Sequence, residues 1–89
     1  MNTLEDLRKK IDRLDMQLLT VLQERMRVVV DVGKLKALHN IPPLDAKRWQ
    51  SVLESRLLQA EAFGLHKEFI TRILDTIHDE ALRIEKNIL

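Results

Sequence analysis

The hydrophobic residues in the first forty positions recur with a seven-residue spacing that forms two adjacent stripes. The stripes consist of Leu4, Leu7, Ile11, Leu14, Leu18, Val21, Val28, Val32 and Leu35. Steps of three and four residues place side chains on one face of a helix. Thr3 is a suitable N-cap, and Asp6 supplies the negative charge that favours a helix N-terminus. The pattern predicts one uninterrupted helix over about residues 3–39, which Pro42 brings to an end.

Two shorter helices are predicted after the adjacent prolines, which prevent the first helix from continuing. Asp45 can cap a helix over about residues 45–62, and Gly64 can end it in the left-handed conformation. The apolar face of this helix consists of Trp49, Val52, Leu53, Leu57 and Ala60. A third helix is predicted over about residues 66–87. Its stripe consists of Phe69, Ile70, Ile73, Leu74, Ile77, Ala81, Ile84 and Ile88.

The length of the first helix predicts a second copy of the chain. About 36 residues at about 1.5 Å each span about 54 Å, whereas a compact globule of this size is only about 30 Å across. The apolar stripes therefore need cover from another molecule, and two-fold homodimers are the commonest assemblies. Residues 1–89 are predicted to form one all-α domain of three helices in an intertwined homodimer. Gly33 costs about 1 kcal/mol relative to alanine inside a helix, which indicates a close approach of another helix.

Composition narrows the possible functions. The formal net charge of +1 and the aromatic content of 3% argue against a nucleic-acid partner. The chain has no cysteine, which excludes disulfides and thiolate chemistry. His39, His66 and His78 lie on separate segments without the spacing of metal ligands, so surface or structural roles and no metal are expected. The absence of an apolar run of about 20 residues, and of a signal-peptide core in the first ten residues, predicts a cytoplasmic protein without a membrane partner.

Several cations interrupt the apolar pattern. Arg25 occupies a position of the first stripe, where a buried charge needs either a protein carboxylate or an anionic ligand, or must extend to solvent. Lys36 follows on the same helix face about 16 Å away, and Arg48 follows the proline turn. Arg8 lies about 25 Å from Arg25 along the helix, and in an antiparallel dimer the Arg8 of one chain can approach the Arg25–Lys36 region of the other. Several cations in one pocket suit a small dianion.

The cations and their surroundings resemble a known family. The first helix is similar to the opening helix of the all-helical chorismate mutases at Leu7-Arg8, Ile11-Asp12, Leu14-Asp15, Leu18-Leu19, Leu22, Arg25, Val32-Gly33-Lys34 and Lys36. The similarity continues through Pro43, Asp45, Arg48, Gly64-Leu65, Phe69-Ile70 and residues 77–85. The pairs at 25–26, 40–41, 48–49 and 77–78 resemble mutase domains fused to 3-deoxy-D-arabino-heptulosonate 7-phosphate synthase. That likeness implies a fused or associated synthase domain.

The resemblance implies a function and roles for the cations. The family rearranges chorismate, a small dianion, to prephenate in phenylalanine and tyrosine biosynthesis, without a cofactor. Arg25 and the Arg8 of the partner chain would bind the two carboxylates. Lys36 would contact a carboxylate and the ether oxygen, and Arg48 would complete the charged wall. Arg25, Lys36 and Glu85 are the predicted catalytic residues.

Other positions either fit the family or depart from it. Asp45 would offer its backbone N–H or its side chain near the ring hydroxyl, and Ala81 stands where a small residue lies beside the substrate. Trp49 replaces a frequent glutamate that would bind the ring hydroxyl. Glu85 replaces a frequent glutamine that donates to the ether oxygen, and an ionised carboxylate cannot donate a hydrogen bond.

Two alternatives remain open from the residues. A lyase of the same fold would expel pyruvate from isochorismate, and the spacing of the cations does not separate the two reactions. A non-catalytic helical module could instead mediate dimerisation or regulate a partner synthase. In that case Arg25 and Lys36 would pair with protein carboxylates.

Overall fold

The computed structural model describes residues 3–88, which form three helices and no strand. Helix α1 spans Leu4–Leu38, α2 spans Ala46–Ala62 and α3 spans Lys67–Lys86. Each helix lies within its predicted range, and the predicted all-α class is confirmed. None of the described helices is both long enough and apolar enough to cross a membrane.

Helix α1 begins with the predicted cap. The Thr3 hydroxyl oxygen accepts a hydrogen bond from the Asp6 backbone N–H at 3.1 Å, and the Thr3 N–H donates to Asp6 Oδ2 at 3.1 Å. This reciprocal pair satisfies two N–H groups that the helix itself leaves unpaired. At the other end, Asn40 turns the chain with a φ of 55°, a conformation that asparagine tolerates better than most residues. The longest dimension of the described chain is 57 Å.

Helix α2 is also bounded by local signals in the sequence. The Arg48 backbone N–H donates to Asp45 Oδ1 at 3.0 Å, so Asp45 is the N-cap. At the C-terminal end, Gly64 has a φ of 72°. The Gly64 N–H donates to the Glu61 carbonyl at 3.0 Å, and the Leu65 N–H donates to the Ala60 carbonyl at 2.9 Å. This pairing is a Schellman motif, and it confirms the predicted left-handed glycine.

Helix α3 packs against both α1 and α2. Gly33 is buried where α1 meets the C-terminal end of α3. A Cβ atom on Gly33 would collide with Ile88 Cδ1 and would lie only 3.3 Å from Glu85 Cα. The predicted close approach of another helix is therefore confirmed. It places Glu85 against the turn of α1 that carries Lys36.

The single chain buries little apolar surface. Within residues 3–88, Ala60 and Ala81 are the buried hydrophobic residues, and no large side chain is fully buried. The exposed large residues include most of the α1 stripes: Leu4, Leu7, Ile11, Leu14, Leu18, Val21, Val28, Val32 and Leu35. The radius of gyration is 16.4 Å, compared with about 12 Å for a compact domain of this length. One copy of the chain therefore leaves its main apolar face in contact with solvent.

Candidate active site

A cavity of about 220 Å³ lies where α1, the proline turn, α2 and α3 meet. Six of the seven predicted site residues line it: Arg25, Lys36, Asp45, Arg48, Ala81 and Glu85. The seventh, Arg8, does not line it. Arg8 precedes Arg25 by 17 residues on the same helix, a separation of about 25 Å. The single chain thus brings together every predicted residue except the one that was assigned to the partner chain.

Lys36 and Glu85 form an ion pair at this cavity. The Lys36 Nζ lies 2.8 Å from Glu85 Oε1, and it donates a hydrogen bond to the Pro43 carbonyl at 2.6 Å. The Glu85 side chain is only 8% exposed, and that of Lys36 is 22% exposed. The Lys36–Glu85 contact is an ion pair without the geometry of a hydrogen bond. Glu85 Oε1 is therefore buried without a hydrogen-bond partner among residues 3–88. Lys36 therefore pairs with a protein carboxylate, which is the contact expected if the chain is a non-catalytic helical module.

Arg25 and Arg48 differ from Lys36, because no carboxylate among the described residues lies within 4.0 Å of either guanidinium. Both residues are exposed and both line the cavity. The expectation that Arg25 is buried in the stripe is not met within the single chain, where its apolar neighbours in the stripe are exposed as well. Arg25 and Arg48 are therefore cations at the cavity that no described carboxylate neutralises.

Trp49 and His78 form an aromatic wall of the cavity. Their rings are stacked, with centroids 3.9 Å apart and planes inclined by 11°. Both side chains are half-buried and both line the cavity. His78 is thus not a surface residue, and the stack fits the structural role that was the other expectation for it. The spacing of His78, Leu82 and Glu85 along α3 indicates that they share one helix face. The stack itself joins α2 to α3, and no local sequence pattern predicts it.

Arg56 is a further cavity residue that the sequence did not single out. Trp49, Val52 and Arg56 follow one another at steps of three and four residues on α2, and all three line the cavity. Arg56 is exposed, and its guanidinium contacts the Ser55 hydroxyl at 3.4 Å. With Arg25, Lys36 and Arg48, it brings the number of cations at the cavity to four. The single chain therefore places one more cation at the cavity than the sequence predicted.

A larger surface groove of about 600 Å³ lies beside α2 and the turn that follows it. Leu57, Leu58 and Leu65 form its apolar walls, and Glu54 and Glu61 lie at its edge. Lys67 is the single cation among the described residues that line it, so the two carboxylates give the groove a net negative charge that does not suit a dianion. On the exposed side of α3, the Arg83 guanidinium hydrogen-bonds Glu80 and lowers the pKa of that carboxyl. That pair does not line the cavity.

Comparison with known proteins supports the resemblance. The sequence profile of the family described as Chorismate mutase type II matches residues 7–86. The T-protein of Haemophilus influenzae is 36% identical over 74 residues, which cover 83% of this chain and 20% of that protein. The bifunctional chorismate mutase/prephenate dehydratase of Escherichia coli is 35% identical over 88 residues, which cover 99% of this chain and 23% of that protein. The chain therefore spans about a fifth to a quarter of the length of these relatives.

A third relative is similar to the chain over most of both lengths. The 4-amino-4-deoxychorismate mutase of Streptomyces venezuelae is 28% identical over 88 residues, which cover 99% of this chain and 85% of that protein. None of these three relatives is named as a fusion with a heptulosonate phosphate synthase, so the predicted synthase domain stays a prediction. The match to the family profile covers nearly the whole chain, and the chain belongs to the type II chorismate mutase family.

Proposed function

We propose that the chain is a chorismate mutase that converts chorismate to prephenate. The observation that carries this proposal is the convergence of Arg25, Lys36 and Arg48 on one small cavity in a member of this family. A volume of about 220 Å³ suits a small ligand, and guanidinium groups bind carboxylates with paired hydrogen bonds. The cavity therefore has the size and charge that a small cyclic dianion requires.

The reaction needs positioning and charge stabilisation from the protein. A Claisen rearrangement breaks one C–O bond and forms one C–C bond within the same molecule, with no net proton transfer. Arg25 and the Arg8 of the partner chain hold the two carboxylates, and Arg48 adds a further cation to the wall. This keeps the enolpyruvyl arm over the ring and lowers the entropic cost of the reaction. Lys36 places its charge at the ether oxygen, where negative charge develops as the C–O bond breaks.

The Lys36–Glu85 pair orients the catalytic ammonium. An ammonium group has three N–H donors, and the Pro43 carbonyl and the Glu85 carboxylate occupy two directions around Nζ. A donor remains for the ligand. The Glu85 carboxylate cannot itself donate a hydrogen bond to the ether oxygen, so its role is to position Lys36.

A homodimer completes the proposed site. The exposed apolar stripes of α1 and the 57 Å length of the molecule support a second copy that packs along this helix. In an antiparallel arrangement, Arg8 of one chain approaches the cavity of the other and binds the second carboxylate. The proposed active site is thus shared between two chains, and a monomer lacks one of its cations.

The wider setting of the chain is also proposed. The substrate places the chain in phenylalanine and tyrosine biosynthesis, in the cytoplasm. The Escherichia coli relative combines a mutase and a dehydratase in one protein, which supports the occurrence of this domain within longer proteins. The synthase predicted from the residue pairs is the proposed fused or associated partner.

Product analysis with chorismate and isochorismate tests the proposal. We expect the purified protein to convert chorismate to prephenate and to release no pyruvate from isochorismate. Release of pyruvate from isochorismate in place of the rearrangement would indicate the lyase. Conversion of neither substrate by a folded dimer would indicate the non-catalytic module.

A further inference from the structure

The Trp49–His78 stack is a feature of the cavity that the proposed mechanism does not use. Trp49 lies in the second turn of α2, and His78 lies on α3. The imidazole lies flat against the indole, with the ring centroids 3.9 Å apart and the planes inclined by 11°. Parallel aromatic rings in contact restrict each other's rotation, and such pairs contribute beyond the area they bury. The imidazole is therefore held in one orientation beside the cavity.

The ring nitrogens of His78 have no hydrogen bond to another described residue, although an imidazole has two nitrogens that donate or accept. Among the described cavity residues, the other side chains with hydrogen-bonding groups are the cations and the two carboxylates. Asp45 Oδ1 accepts from the Arg48 N–H, and Glu85 Oε1 lies against Lys36 Nζ. His78 and Trp49 are thus the aromatic side chains at the cavity whose nitrogens remain available to a ligand.

Two kinds of side chain line the cavity. Arg25, Lys36 and Arg48 are cations, whereas Trp49, His78 and several aliphatic residues provide aromatic and apolar surface. Carboxylates bind at the cations, which leaves the aromatic and aliphatic walls for the ring of the ligand. The small side chain of Ala81, three residues after His78 on α3, leaves room in front of that helix. A polar substituent on the ring needs a hydrogen-bond partner when it leaves water. The imidazole of His78 is such a partner on the wall that the ring faces.

We propose that His78 is a substrate-binding residue that hydrogen-bonds the ring hydroxyl of the dianion, with Trp49 as the platform that fixes its orientation. The ligand class is a cyclic dicarboxylate with a hydroxyl group on the ring. This inference rests on the proposed function for the identity of the substrate. It assigns ring recognition to a histidine–tryptophan pair at the place where the family frequently has a glutamate.

The kinetic test uses three substitutions that separate stacking from hydrogen bonding. His78→Phe keeps an aromatic ring on Trp49 and removes both nitrogens, and we expect the KM for chorismate to rise about three- to tenfold. The kcat should stay within about twofold, since the contact is made equally in the ground state and the transition state. His78→Gln restores a hydrogen-bonding group and should recover part of the affinity. Trp49→Phe keeps the platform and removes only the indole N–H, so its KM should change less than that of His78→Phe.

Ligand dissociation constants measured at equilibrium test the role of His78 without any turnover. Trp49 is the single tryptophan of the chain, so its emission reports ligand binding at the stack. Prephenate carries two carboxylates and a ring hydroxyl, and its Kd should rise in His78→Phe by the same factor as KM. Succinate carries two carboxylates and no ring, and its Kd should be the same in the variant and the original protein. A structural role for His78 would weaken both ligands.

The outcomes separate this inference from the proposed function. If the original protein converts chorismate and His78→Phe has unchanged KM and prephenate Kd, the role of His78 is wrong and the mutase stands. If the original protein does not convert chorismate, the prephenate titration still decides whether His78 binds a cyclic dicarboxylate. Failure to bind prephenate at all overturns both. If His78→Phe does not fold by circular dichroism, His78→Leu makes the same comparison, because leucine also lacks a hydrogen-bonding group. A KM and a prephenate Kd equal to those of the original protein would then contradict the proposal.

Discussion

At the scale of single residues, Lys36 is the side chain on which the proposed chemistry depends most. Its ammonium group is held by the Pro43 carbonyl and by Glu85, so it is oriented before a ligand arrives. Donors that are already oriented toward a developing charge each lower the activation free energy by about 3–4 kcal/mol. We expect Lys36→Ala to lower kcat/KM for chorismate by about 10² or more.

The matched control for this variant is Lys34→Ala, which removes an exposed lysine from the same turn of α1. We expect the control to keep kcat/KM within about twofold. Circular dichroism spectra should show that both variants fold. Near-normal turnover by folded Lys36→Ala would remove this residue from the mechanism.

Glu85 gives a second prediction at the residue scale. A carboxylate cannot donate a hydrogen bond and opposes negative charge at the ether oxygen, whereas an amide is neutral and donates. We expect Glu85→Gln to raise kcat/KM for chorismate by about two- to tenfold, because the amide oxygen can still accept from Lys36 while the amide N–H donates to the ether oxygen. An unchanged or lower kcat/KM in the folded variant would show that the charge of Glu85 does not limit the reaction.

The residues of the cavity were predictable where they interrupt a pattern. Arg25 stands in an apolar stripe, and Lys36 shares its helix face, so both were evident from helical periodicity. His78 and Arg56 interrupt no pattern, because single polar residues on an amphipathic helix usually face solvent. The role of His78 depends on a contact between α2 and α3, and nothing in the local sequence specifies that contact.

At the scale of helices, the boundaries follow from short-range chemistry. The Thr3–Asp6 pair, the Asp45 cap and the Gly64 turn each involve residues within a few positions of one another. Such contacts form within one helical turn, and for this reason the sequence alone indicated them. The relative placement of α2 and α3 depends instead on side chains far apart in the chain. The sequence therefore predicted the helices more completely than their packing.

Gly33 provides the prediction for helix packing. A larger side chain at this buried position would contact Glu85 and Ile88 and would push α3 away from α1. We expect Gly33→Val to destabilise the fold by about 1–3 kcal/mol and to lower activity, because the shift moves Glu85 away from Lys36. Urea denaturation and the kcat/KM for chorismate measure the two effects.

The control for Gly33→Val is Lys34→Val, which introduces the same β-branched side chain at an exposed neighbouring position. Its cost should be limited to the lower helix propensity of valine, a few tenths of a kcal/mol. Equal stability of the two variants would mean that the α1–α3 contact does not constrain position 33.

At the scale of the whole molecule, the proposed dimer explains why a chain of 89 residues leaves so much apolar surface exposed. Leu14 lies in the α1 stripe and is 58% exposed in the single chain. Burial of a leucine contributes about 1.5–3 kcal/mol, and a symmetric interface contains two copies. We expect Leu14→Glu to raise the dimer dissociation constant by about a hundredfold or more.

Sedimentation equilibrium measures that dissociation constant, with Arg13→Glu as a control that adds the same side chain at the preceding exposed position. We expect the control to remain dimeric at micromolar concentration. A monomeric original protein would contradict the shared active site and the role proposed for Arg8. The length of α1 predicted a partner chain, and the dimer stays a prediction that this measurement tests.

The most direct test of the mutase is the loss of chorismate absorbance with the purified protein across about pH 5 to 8, with prephenate identified as the product. We expect rapid conversion to prephenate. No conversion at any pH in this range by a folded, dimeric protein would contradict the proposed function.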